Sequence, residues 1–208
     1  MRTYKMLLVL IFLFLFDAAY GQKKFKVEEK ETGSWTNLYI LVDEQGKIIR
    51  QLDTSKYYTS FSVGEYVYFA VFGKKGSPGW TAIDADENEL FKVFNTSFGE
   101  PSPDFLVEKR IRIIDEHEKI GFANEKGEIV VTPQFEIVTS FHNGKAIVGE
   151  TCKKVPWDAH AKETDCQHFS IVCGKYGYID GKGVIQKFGE YSFETIMKEI
   201  GWKPPEEY

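Results

Sequence analysis

Gly121-Phe122-Ala123-Asn124-Glu125-Lys126-Gly127 and Gly177-Tyr178-Ile179-Asp180-Gly181-Lys182-Gly183 share one pattern: glycine, aromatic, small or branched apolar, Asn/Asp, two further residues, glycine. Fainter copies lie upstream as Tyr39-Ile40-Leu41-Val42-Asp43-Glu44-Gln45-Gly46 and Trp80-Thr81-Ala82-Ile83-Asp84. The Asp/Asn marker therefore falls at 43, 84, 124 and 180, with first intervals of 41 and 40 residues. A step of that size is one supersecondary unit stacked on copies of itself.

The segments between markers read as strands. Tyr66 to Phe72 is aromatic and β-branched, and Phe105 to Ile114 alternates charged with apolar residues along Glu108 to Ile113. The Asn/Asp-x-x-Gly stretch is turn chemistry, since the Asx side chain bonds to backbone ahead of it and glycine accepts positive φ. Gly46, Gly127 and Gly183 fill the glycine place; in the second copy a turn one residue longer puts Asn88 there. A second element recurs downstream, as Phe61-Ser62-Val63-Gly64 and Phe141-His142-Asn143-Gly144. The expected fold is all-β: stacked antiparallel hairpin or meander repeats of about 40 residues, four copies with the last truncated. Ser192 to Ile200, with an N-cap serine, apolar residues at helical spacing and Gly201 as stop, predicts a short capping helix. Pro204 to Glu207 then forms an exposed tail.

Glu125 to Phe135, followed by Phe141-x-x-Gly144-x-Ala146, resembles the WG (KWG) β-repeat family of bacterial proteins. In that family a Trp-Gly pair opens the unit, and a Pro-x-aromatic segment leads to Phe-x-x-Gly-x-Ala. This chain departs at the eponymous pair, with Ile120-Gly121, Tyr176-Gly177 and Trp80-Thr81. The resemblance spans about residues 35 to 190. It implies a repeat architecture with a binding or structural role and no general catalytic activity.

Residues 1–21 read as a secretory signal. Arg2 and Lys5 precede an unbroken apolar run from Leu7 to Phe16, and Ala19 and Gly21 are the small residues a signal peptidase inspects. The mature chain is expected to begin at Gln22 and to carry no transmembrane anchor, because ten apolar residues are about half of a membrane span. It is expected to be exported, to the periplasm or the cell exterior. Residues 22–34 form an N-terminal extension, 35–190 the repeat domain, and 191–208 the helix and tail. Removing the signal leaves 24 basic and 30 acidic residues, net charge −6, with the two signs interspersed. Nucleic acid is excluded as a partner on that balance.

The interval from Asn124 to Asp180 is 56 residues, so an insertion of about 16 lies between 149 and 174 and holds all three cysteines. If the repeat hairpin continues into it, with Val148 near Lys175, Cys152 comes opposite 171 to 173 and pairs with Cys173, leaving Cys166 free; a tighter loop permits Cys152 with Cys166. Cys152, His160, Cys166, His168 and Cys173 form an alternative soft-ligand set without the close cysteine pair of structural zinc sites. Asp84 to Asn88 imitates half a calcium loop, but Glu89 replaces the required glycine and Asn95 the bidentate Glu. No cofactor or metal is expected. His117, His142, His160 and His168 sit in polar stretches, and no nucleophile, phosphate-loop or metalloprotease motif is present. Aromatics at 35, 57, 58, 61, 66 and 68 read as core, with a ligand platform as the rival. The leading functional expectation is a non-catalytic module binding a protein or cell-envelope polymer along its repeats, and the alternative is an enzyme or metal module sited in the insertion.

Overall fold

A computed structural model describes residues 23–31, 37–96, 102–156 and 169–205. The strands, in chain order, are β1 (Phe25–Glu31), β2 (Asn37–Val42), β3 (Ile48–Gln51), β4 (Tyr57–Ser60), β5 (Tyr66–Val67), β6 (Ala70–Lys74), β7 (Trp80–Ile83) and β8 (Glu89–Val93). They continue as β9 (Arg110–Ile114), β10 (Ile120–Asn124), β11 (Ile129–Phe135), β12 (Ile137–Val138), β13 (Lys145–Pro156), β14 (Phe169–Asp180) and β15 (Ile185–Gly189), followed by helix α1 (Phe193–Ile200). Three sheets have the orders β3-β2-β1-β5, β11-β10-β9-β8-β7-β6-β4 and β12-β13-β14-β15. Consecutive strands are antiparallel neighbours in the groups β1-β2-β3, β6-β7-β8, β9-β10-β11 and β13-β14-β15. In each group the marker turn joins the second strand to the third. The fold is therefore mostly antiparallel β with one short helix near the C-terminus.

Local chemistry explains why the turns recur. The side-chain oxygen of Asp43, Asp84, Asn124 or Asp180 accepts from the backbone N–H two and four residues ahead, at 2.8–3.0 Å. The residue three ahead must then turn left-handed: Gly46 has φ +78°, Gly127 +81° and Gly183 +79°. In the second copy that residue is Glu87, at φ +68°, and Asn88 is not among the positive-φ residues. The expected extra residue is absent, because Asp84 and Asn88 close the same ring that Asp43 and Lys47 close. Glu87 is held there by its carboxylate, which accepts from the Tyr57 hydroxyl at 3.1 Å and Lys56 at 3.3 Å. An identical turn at Asp115, with Glu118 at φ +58°, joins β9 to β10. The Lys182 and Val184 N–H groups hold the Asp180 carboxyl below the usual carboxylate range.

Period-two alternation sends side chains to both faces of the middle sheet. Ala70, Phe72 and Ile83 join Phe25, Val27, Tyr39 and Leu41 of the first sheet. Phe69, Val71, Trp80 and Ala82 pack with Val93, Ile111, Ile113 and Ala123. Ile120, Phe122 and Val131 meet Phe141, Ala146, Val148 and Ile179 of the last sheet. Two expected strands are shorter than their patterns. The backbone bends at Tyr68 and Phe69, splitting the first into β5 and β6, and Val107 to Arg110 form a tight turn whose central Glu108 and Lys109 have φ +48° and +62°. The strand β1 lies within the stretch expected as an extension and is one of the two inner strands of the first sheet.

The second recurring element shows what ties one unit to the next. His142 and Lys145 exchange backbone hydrogen bonds around Asn143 and Gly144, as Val107 and Arg110 do around Glu108 and Lys109. The Glu108 carboxylate accepts the Asn143 and Gly144 N–H groups at 2.5 and 2.9 Å. Arg110 stacks 4.6 Å over Phe141 and donates to the Gly181 carbonyl at 3.1 Å. At the C-terminus α1 starts at Ser192, whose Oγ accepts from Thr195 N–H, and stops at left-handed Gly201. Its Ile196 packs on Ile147, Tyr176 and the cystine, and the Trp202 indole donates to the Ser140 carbonyl at 2.8 Å.

The insertion lengthens the β13–β14 hairpin. Val148 faces Gly177, two residues beyond the expected partner, and Cys152 faces Cys173, to which it is disulfide-bonded. The shift is what sets Cys152 opposite Cys173, since counting from Val148 and Lys175 would reach Ile171, whereas one register holds from Lys145 to Glu150 and again from Cys152 outward. Cys166, His160 and His168 lie outside the described residues. Replacing both Cys152 and Cys173 by serine is expected to destabilise the protein by about 3 kcal/mol, because the bridge closes a loop of 21 residues in the unfolded chain. Thermal melts of the oxidised protein against that variant measure the cost, and peptide mapping without reductant should recover the 152–173 link.

Candidate functional site

A groove of about 980 Å³ opens between the β4–β5 connection and the β8–β9 connection. Phe61, Val63 and Tyr66 line one wall, Phe105 and Leu106 the other, and Phe69 lies among the lining residues as buried core. The walls are pinned by backbone bonds. Phe61 N–H donates to the Val71 carbonyl, and the Ser62 hydroxyl accepts from Val71 N–H, both at 2.9 Å. Opposite, Ser102 N–H donates to the Asn95 side-chain oxygen, and Asp104 N–H to the Phe94 carbonyl. Asp104 is buried, and its carboxylate accepts from the Arg112 backbone N–H, Nε and Nη2 at 2.7, 3.0 and 2.7 Å. The Arg112 guanidinium lies 4.8 Å over the Phe94 ring and donates to the Val138 carbonyl. An ion pair that well partnered fixes the wall and offers little charge to a ligand.

The groove carries an inversion of the repeat's own packing. Phe141, which opens the Phe-x-x-Gly element after β12, is 2% exposed and packs on Phe122 at 4.6 Å. Phe61 and Leu106 hold the corresponding place before their turns and are 47% and 42% exposed, and with Phe105 beside Leu106 they line the groove. Large apolar side chains gathered on one concave surface mark interaction sites more often than scattered ones do. Sequence reasoning missed this element because Leu106 stands where the Phe-x-x-Gly pattern puts its phenylalanine and Lys109 where it puts its glycine. The signal that would have found the element is Leu106-x-x-Lys109-Arg110, an apolar residue one before the turn and a cation closing it, read against Phe141-x-x-Gly144-Lys145.

The other sequence candidates disperse. Tyr57 is core, 4.9 Å from Phe72, and its hydroxyl is pushed up by burial, with the Glu87 charge adding to it. Tyr58 packs over Gly73 and toward Trp80 at 6.3 Å. Phe61, Tyr66 and Tyr68 line the groove, with Lys24 5.2 Å over the Tyr68 ring; Trp35 lies outside the described residues. The aromatic stretch thus divides between core and groove. His117 sits in the β9–β10 turn and His142 in the β12–β13 turn, on separate elements. The Asp84 carboxylate is taken by the N–H groups of Asp86 and Asn88 and by the Asn88 amide.

Comparison with known proteins adds a match to one repeat unit. A search of curated proteins finds no match. Among solved structures, the crystal structure of the computationally designed Ika8 protein aligns with 12% identity over 81% of this chain. This chain spans 62% of that structure's length, and the TM-score of 0.25 carries no argument. Residues 120–150 match the family model described as WG containing repeat. Those residues hold β10, β11, the Asn124 turn and the Phe141-x-x-Gly144 element, so that this one unit of the chain is similar to the WG repeat.

Proposed function

We propose that this is a non-catalytic β-repeat protein of the bacterial envelope or exterior that binds a protein or polymer partner in the groove between the Phe61 and Phe105 walls. The observation that carries the reading is the outward turn of Phe61 and Leu106 at a repeat position where the third unit buries Phe141, with Phe105 exposed beside Leu106. Side chains left about half exposed forgo part of the roughly 1.5–3 kcal/mol that full burial gives each, and occupancy of the groove would recover it. The rigid walls favour binding, because little side-chain or loop order remains to be lost on association. Export is the expectation from residues 1–21, and a disulfide at Cys152 and Cys173 fits an oxidising compartment.

Capture from envelope fractions by the tagged protein tests it. Leu106→Asp, on the exposed wall, is expected to lower recovery of the partner at least tenfold while leaving the melting temperature within a few degrees. Alanine at His117 or His142 should leave capture intact. Undiminished capture by the Leu106 variant would refute the groove, and hydrolysis abolished by one histidine change in folded protein would make catalysis the better reading.

A further inference from the structure

We infer that the groove receives a peptide segment with an acidic side chain among apolar ones, and that the Glu108 and Lys109 N–H groups take its carboxylate; this rests on the groove being a binding site. The turn element that ties one unit to the next occurs three times, in different states. Leu106 to Arg110 and Phe141 to Lys145 both close a two-residue turn, with φ +48° and +62° at Glu108 and Lys109, and +52° and +72° at Asn143 and Gly144. In the later turn the central N–H pair is filled, because both Glu108 carboxylate oxygens accept from it. In the earlier turn, among the described residues, no group accepts from the same pair.

The first copy of the element explains the difference. It reads Phe61-Ser62-Val63-Gly64-Glu65, with Val63 where the second copy has Glu108 and Glu65 where it has Arg110. Valine offers no carboxylate to the next turn. The stretch is also drawn toward β1, since Gly64 N–H donates to the Val27 carbonyl at 3.1 Å and Val63 bridges to Val27. Between the second and third copies the chain closes its own seam, with the Glu108 carboxylate on the turn and Arg110 over the Phe141 ring. Between the first and second copies neither closure is made, and the groove lies there.

The Glu108–Lys109 turn stands at the end of that groove. Leu106 before the turn and Ile111 after it both line the cavity. Glu125 lines it too, and its charge is partnered by Lys109 at 3.8 Å. Glu65, the other lining carboxylate besides ion-paired Asp104, belongs to the far wall, where Lys24 lies over Tyr68. Successive N–H groups of a turn make an anion site, and charge-assisted bonds to both oxygens of a carboxylate are strong. The chain's own filled turn shows the anion that fits, a carboxylate carried on a protein side chain. Exposed Phe61, Phe105 and Leu106 call for apolar neighbours beside it. A peptide segment supplies both in one strand of chain.

Amide NMR of the full exported chain tests this, because the two backbone N–H groups report directly. The probe is a pool of blocked short peptides, each with one glutamate among leucine and phenylalanine and with serine at both ends, set against the same pool with glutamine. The glutamate pool should bind about tenfold more tightly and move the Glu108 and Lys109 amide protons downfield. The Asn143 and Gly144 amides, already bonded to Glu108, should stay in place. Lys109→Gly combined with Glu125→Gln removes that ion pair as a unit, keeps both N–H groups and suits the left-handed turn, so the preference for glutamate should survive. A preference lost in that variant would move recognition to the ammonium group and overturn the N–H site. Equal affinity for the two pools, or amides that do not move, would overturn it as well. So would a uronic acid oligosaccharide that shifted those amides when the peptides did not. If the peptides fail while Leu106→Asp still lowers partner capture, the groove reading stands and only the occupant is wrong.

Discussion

Gly121→Ala is expected to destabilise the protein by at least about 3 kcal/mol, a cost at the upper end for overpacking because the obstructing atoms are backbone. A Cβ at Gly121 would lie 2.3 Å from the Val131 carbonyl oxygen, 2.6 Å from Pro133 N and 2.8 Å from Thr132 C. The cause is a bulge. Ile120 pairs with Phe135 and Phe122 with Val131, so Thr132, Pro133 and Gln134 arch over the single residue Gly121. Proline suits the arch because it has no N–H to lose from the ladder. Gly177 holds the same repeat position, and a Cβ there would come 2.0 Å from the Lys187 carbonyl oxygen, so Gly177→Ala should be comparably severe. Gly46→Ala is the internal control: φ is +78° but nothing lies within 4 Å, and about 1 kcal/mol is expected. Urea denaturation of the three variants orders them, and equal costs at 46 and 121 would disprove the close approach.

Asp104→Ala is expected to cost about 3–5 kcal/mol, the range for removing one partner of a buried ion pair. Its carboxylate side chain is 2% exposed and makes three contacts to Arg112, whose own side chain is 16% exposed. Without it the guanidinium keeps, among the described residues, the Val138 carbonyl and the Phe94 face. The double variant Asp104→Ala with Arg112→Met should cost less than the sum of the single changes, since the stranded charge is gone. Strict additivity in denaturant melts would show that the pair contributes no coupling. Because Asp104 lies in the groove wall, the single variant should also weaken partner capture.

Much of the architecture was legible because it is local. Asp43, Asp84, Asn124 and Asp180 each close a turn with bonds spanning at most four residues, and a spacing rule reports such bonds faithfully. Ser192 and Gly201 bound the helix for the same reason. Counting along one ladder from Val148 brought Cys152 opposite 171 to 173, and the two-residue offset of the hairpin settles it on Cys173. Glu87 and Asp115 were not legible. Glutamate is a poor left-handed residue in isolation, and its turn is held by Tyr57, 30 residues away.

What the sequence alone determined about this protein is therefore its grammar: antiparallel strands, marker turns, the capping helix and the resemblance carried by residues 120–150. Only the tertiary structure decided that Gly121 and Gly177 lie under passing backbone, that Asp104 belongs to Arg112, and that Phe61 and Phe105 face a groove while Phe141 is core. The physical reason is range. Turns and caps are set by hydrogen bonds between near neighbours, whereas burial depends on which sheet another stretch of chain brings alongside, and a single phenylalanine reads the same in either place.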